Sequence, residues 1–117
     1  MRFFYIKMSA KTKVYIKPDS FLAWIAAKNL HANCMALVIG NTIHLYNTSV
    51  IDFLKNKKWV LHELKHVEQY EALGILAFLY HYIKESIKKG YYKNTFEVAA
   101  RNAEADDYLL DKYELVY

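Results

Sequence analysis

The chain has 117 residues, 55% of them hydrophobic and 24% charged, with a net charge of +4; this excludes an intrinsically disordered tail and makes one domain, residues 1–117, the expectation. Only 3 glycines and 1 proline are present, which excludes collagen-like, linker and hairpin-rich barrel architectures and points to long helices. The 16 basic residues are scattered in pairs and triplets such as Lys55, Lys57 and Lys58; without a clustered stripe or reading motif, no nucleic-acid partner is expected.

Cys34 is the single cysteine, so no internal disulfide forms and a reducing compartment suits the chain. Lys7 interrupts the apolar run Phe3 to Ile6, leaving no secretory h-region; the cytoplasm is the default location, with unconventional export as the alternative. The apolar stretch Ala72 to Ile83 is too short to span a bilayer, so no transmembrane segment is expected and a buried core helix is the first reading. An interfacial role for Ile75 to Ile83 is the minor alternative.

In chain order, residues 3 to 6 and 13 to 17 read as short strands, the second ended by Pro18. Asp19 or Ser20 then caps a helix through Phe21, Trp24, Ile25 and Leu30. Met35 to Ile39 and Thr42 to Tyr46 are β-branched and aromatic runs joined by Gly40-Asn41, a hairpin signal. Thr48 or Ser49 caps a short helix to Leu54. A lysine-rich loop, Lys55 to Lys58, leads into a helix from Trp59 to Leu73, which Gly74 ends or kinks. Ile75 to Lys89 follows as a hydrophobic helix stopped by Gly90, and Asn94 to Leu110 as a last helix. The fold class is α+β: mostly helical, with a small antiparallel hairpin or sheet.

Chemistry concentrates in His62-Glu63-Leu64-Lys65-His66. Two imidazoles at i and i+4 project from one helix face and reach one metal ion, while Glu63, one residue round, stands near a metal-bound water as general base. With this chain's 5 His and 7 Glu, chance placement yields roughly 0.01 matches to the pattern. On a helical wheel Val60, Leu64 and Val67 form an apolar stripe, with His62, His66 and Gln69 nearly opposite. His31, His44 and His81 have no partner at ligand spacing, and structural roles are expected for them.

Catalytic zinc takes three protein ligands and keeps one position open. In the last helix Glu97 is the preferred third ligand, and Glu104 is the alternative ligand or an acceptor orienting a histidine. Against Glu97 stand two ordinary uses, a capping box with Asn94 and an ion pair with Arg101. The stripe Phe96, Ala100, Ala103 and Leu110 lets this helix approach the histidine helix closely.

From Leu37 to about Asp106 the sequence resembles the gluzincin-type zinc metallopeptidases, especially compact single-domain versions and related bacterial peptidase domains. The resemblance rests on Gly40-Asn41-Thr42-Ile43-His44-Leu45, His62 to Tyr70, and Phe96-Glu97-Val98-Ala99-Ala100. It implies a minimal zincin-like domain that binds Zn²⁺ and hydrolyses peptide bonds in a peptide or protein substrate, with Gly40 to Leu45 as the edge strand along the cleft. Arg101 stands where thermolysin-like members carry an Asp supporting a histidine, and their large C-terminal subdomain is missing. Tyr70, His81, Tyr91 and Tyr92 are the available oxyanion donors. The departures motivate an alternative, a non-catalytic zinc- or protein-binding module, alone or in a larger assembly. A latent state, with Met1 to Lys17 or Glu114 to Tyr117 over the cleft, is a further expectation.

Overall fold

The computed structural model describes residues 11–117; the strand expected at residues 3 to 6 lies outside them. Strand β1 (Thr12–Lys17) alternates exposed lysines with buried Val14 and Ile16, the pattern of a strand with one face on a core. Helix α1 (Phe21–Leu30) starts at Ser20, whose hydroxyl accepts from the Ala23 amide. It ends at His31 in the left-handed conformation, so His31 is a cap residue. Strands β2 (Met35–Ile39) and β3 (Thr42–Tyr46) form the expected antiparallel hairpin, with Ile39 opposite Thr42. Gly40 supplies the positive φ, 64°, of its turn.

Ser49 caps α2 (Val50–Lys55). The expected lysine loop is reduced to Asn56, whose side chain accepts from the Trp59 amide and starts α3 (Lys57–Leu73) immediately. Gly74, with φ 84°, separates α3 from α4 (Ile75–Lys89). The last expected helix is a composite. Helix α5 (Thr95–Asn102) runs into a 3₁₀ turn at Ala103–Ala105, a short α6 (Tyr108–Lys112) and a strand β4 (Tyr113–Val116). The chain order thus turns what reads as one helix into a return to the sheet.

The sheet order is β2-β3-β1-β4, with β1 parallel to both β3 and β4. Two expectations change here. The strand Thr42–Tyr46 is internal, so the edge strand is β2, because β1 has taken the other side of β3. The C-terminal segment and Thr12–Lys17 pair with each other in the sheet rather than covering the cleft described below; residues 1–10 of the expected covering segment lie outside the described residues. The α+β class holds, with a mixed four-stranded sheet rather than a purely antiparallel one.

Helix α3 is the centre of the molecule. Its Val60, Leu61, Leu64 and Val67 are buried against Ile43, Leu45, Phe53 and Leu109 in one core, so the apolar stripe read from the wheel packs as expected. On the other face of β3, His44 accepts a hydrogen bond from Ser20 Oγ at 2.8 Å, fixing the start of α1. Ala100 and Ala103 are fully buried or nearly so, and their small side chains let α5 and the 3₁₀ turn lie close to α3.

The reading of Ala72 to Ile83 as a buried core helix is corrected. In α4 only Phe78 is buried; it packs tilted against Tyr70 of α3 with ring centroids 4.2 Å apart. The sheet is already covered by α3, so α4 packs through one side and leaves its other apolar side in solvent. Among the described residues no helix is long and apolar enough to cross a membrane.

Candidate metal centre

Helix α3 brings His62 and His66 onto one face, and α5 lays Glu97 across them. His62 Nε2 lies 3.0 Å from Glu97 Oε1 and His66 Nε2 lies 3.3 Å from Glu97 Oε2. One ligand atom from each of the three residues falls within 4.8 Å of the other two. Glu97 is 4% exposed and His66 7%. The capping-box and ion-pair uses of Glu97 are not what its carboxylate does. Asn94 caps α5 through the Phe96 amide, Glu85 receives the Thr95 amide and hydroxyl, and Arg101 turns to the Tyr92 carbonyl and stacks on the Tyr92 ring.

Both imidazoles are held from behind. His62 Nδ1 meets Glu104 Oε2 at 2.9 Å, and His66 Nδ1 meets Gln69 Oε1 at 2.9 Å. Gln69 is in turn fixed by donating to the Phe96 carbonyl at 3.1 Å. An acceptor on each Nδ1 favours the proton there and leaves each Nε2 free to ligate, the arrangement found behind metal-bound histidines. Glu104 thus stands behind His62, and Glu97 is the carboxylate of the group that could hold a metal ion. The 3₁₀ turn delivers Glu104, so the support that Arg101 cannot give comes from another position. Two nitrogens and one carboxylate oxygen, with one side open to a cavity, could hold a metal ion.

The electrostatics fit cation binding as well. Burial works to lower His62, but the hydrogen bond with Glu97, the charge of Glu63 and the hydrogen bond with Glu104 raise it to about 9. Burial likewise opposes a charged Glu97, yet hydrogen bonds from His62 and His66 hold it well below the usual carboxylate range. Each Nε2 thus faces a carboxylate oxygen of Glu97 that stays negatively charged. Tyr82, whose phenol is pushed up by burial and by the Glu97 charge, donates to Glu97 Oε2.

Glu63 is 5% exposed. Burial pushes its carboxyl up to about 7 against the pull of His66 and His62, a range suited to taking and returning protons near neutrality.

Two hollows meet at His62 and Glu63. One, of about 180 Å³, is walled by Leu30 of α1, Leu37 of β2, and Phe78 and Leu79 of α4. The other, of about 450 Å³, is more polar and runs past Lys58 and Glu104. Met35 and Ala36, on the edge strand, border both.

No protein-family model, no curated protein and no solved structure matches this chain. The chemistry of the site therefore rests on its own geometry.

Of the four donors considered from sequence, Tyr91 borders both hollows beside His62 and Glu63. Its phenol is pushed up by burial and by the charges of Glu97 and Glu63. Tyr70 lines only the smaller hollow and packs against Phe78, His81 meets Tyr80 edge-on, and Tyr92 is taken up by Arg101. What sequence reasoning missed is Tyr82 and Gln69. The i, i+3 spacing of Gln69 from His66 was a usable signal; nothing local marked Tyr82.

Proposed function

We propose that the protein is a zinc-dependent peptidase of the gluzincin type, with His62, His66 and Glu97 as metal ligands and Glu63 as general base. The observation that carries this is the convergence of His62 Nε2, His66 Nε2 and Glu97 at the meeting point of two hollows, with Glu63 buried beside them. Bound zinc would supply Lewis acidity toward a carbonyl oxygen and lower the pKa of a water.

The chain's own residues do the rest. Glu63 takes a proton from the attacking water and returns it to the leaving amine nitrogen, so its carboxylate ends each cycle as it began. Tyr91 offers its hydroxyl to the oxygen on which negative charge develops. The free edge of β2 offers main-chain hydrogen bonds to an extended peptide, and the hollow bounded by Leu30, Leu37, Phe78 and Leu79 accepts an apolar side chain. Tyr82 and Glu104 keep Glu97 and His62 in place.

Metal analysis of purified protein and of His62→Ala tests the site: one zinc per chain is expected in the first and loss of it in the second. A peptide-library digest with and without chelator tests the activity. Glu63→Gln should keep the metal and lose at least about 100-fold in cleavage rate. Zinc bound stoichiometrically without any chelator-sensitive cleavage would replace this reading with a non-catalytic zinc-binding module.

A further inference from the structure

An apolar row open to solvent lies on α4, on the side away from Phe78 and Tyr82. Leu76, Tyr80, Ile83 and Ile87 follow one another at helical spacing and are 84%, 61%, 55% and 81% exposed. At 1.5 Å per residue the row is about 16 Å long. Going round the helix one way leads to Leu79, which lines the cleft; going the other way leads to lysines. Lys84 lies beside the row with its Nζ 5.8 Å from the centre of the Tyr80 ring, Lys88 lies one turn further on, and Lys89 and Lys93 follow near the helix end. The one acidic residue of α4, Glu85, has its carboxylate occupied by the amide and hydroxyl of Thr95.

This combination has the form of a helix that lies in a membrane interface: a narrow apolar face, tyrosine at its border and a cationic flank. With 15 residues, α4 is shorter than the roughly 20 needed to span a bilayer, so it would lie along the surface. A second copy is a poorer occupant. The row offers roughly 500 Å², below the ~800 Å² per partner of a stable interface, and a two-fold contact would set one basic helix against another.

We propose that α4 docks the protein on an anionic lipid surface, with Leu76, Tyr80, Ile83 and Ile87 entering the acyl boundary and Lys84 and Lys88 meeting anionic headgroups. The docking does not depend on peptidase activity.

The test uses the full chain and sedimentation with vesicles of phosphatidylcholine alone or mixed with phosphatidylglycerol. Partitioning should be at least about 10-fold stronger on the mixed vesicles and weaken with salt. Leu76→Asp with Ile87→Asp should reduce it at least about 10-fold. Lys84→Glu with Lys88→Glu should do so by about fivefold per lysine, whereas the distant pair Lys13→Glu with Lys55→Glu should change it little. Circular dichroism checks each fold, and Leu76→Ser with Ile87→Ser replaces the aspartate pair if that pair does not fold. The proposal is overturned if mixed vesicles are not bound, if the α4 variants bind as the parent does, or if the distant pair loses as much. Concentration-dependent dimerisation abolished by the aspartate pair, without vesicle binding, would instead assign the row to a second copy.

Discussion

In the proposed metal site Glu104 would contribute to metal binding without touching the metal, and a two-step truncation separates its contributions. It accepts from His62 Nδ1 at 2.9 Å, and its side chain is 33% exposed. Glu104→Gln keeps an acceptor oxygen and removes the charge; Glu104→Ala removes both. Acceptors behind metal-bound histidines are generally worth 10- to 100-fold in affinity, or about 1.4 to 2.7 kcal/mol. Solvent at Glu104 screens part of the charge effect, which places the alanine variant near the lower end, about a 10-fold loss, and the glutamine variant at about 3-fold. Glu97→Gln, which weakens a direct ligand, should lose more than about 100-fold. Zinc affinity is measured by competition with a chromophoric chelator at fixed pH, with melting curves of the metal-free proteins as the control for folding. Wild-type affinity in Glu104→Ala would refute the orienting role. A loss in both Glu104 variants equal to that of Glu97→Gln would show Glu104 to be a ligand itself.

Two further outcomes concern the scaffold. Burial and the nearby charge of Lys17 lower the pKa of His44 from 6.5, and neutral His44 accepts from Ser20 Oγ. The fold therefore prefers the unprotonated ring: this stability is present above pH 6.5 and is lost as pH falls through 6.5 toward the lowered value. Between pH 7 and pH 5 the parent should lose more stability than His44→Gln, and equal pH slopes in thermal melts would count against the assignment. Gly40 has φ 64°, and a Cβ placed on it would lie 3.4 Å from Ile75 Cδ1. Gly40→Ala should cost about 1–2 kcal/mol through the left-handed backbone, and an unchanged denaturation midpoint would contradict this.

The parts of the site encoded over a single helical turn were readable from the chain. His62 and His66 share a face because they are four residues apart, and Gly40 sets the hairpin because a tight turn needs positive φ there. Glu97 could be singled out because it stands in the first turn of its helix, three residues after Asn94. Longer-range features were not. The parallel pairing of β1 with β3 and β4 depends on residues about thirty and a hundred positions apart, and no local pattern records such a choice. The 3₁₀ turn at Ala103–Ala105 falls among good helix formers, where tertiary packing overrides local preference. The hydrophobicity of Ala72 to Ile83 was misread as burial because composition does not say whether a partner surface is present.

Asn94 is fully buried. Its amide donates to the Tyr82 carbonyl at 3.0 Å and to Ser86 Oγ at 2.9 Å, while its oxygen accepts from the Phe96 amide. A carboxylate in its place could not donate to the first two partners. This one side chain joins the end of α4 to the start of α5, so the position of Glu97 is referenced to α4 directly rather than through the turn between them. The turn between the two helices is thereby relieved of fixing where α5 begins, and its tyrosines are left to other tasks, Tyr91 at the border of the hollows and Tyr92 against Arg101.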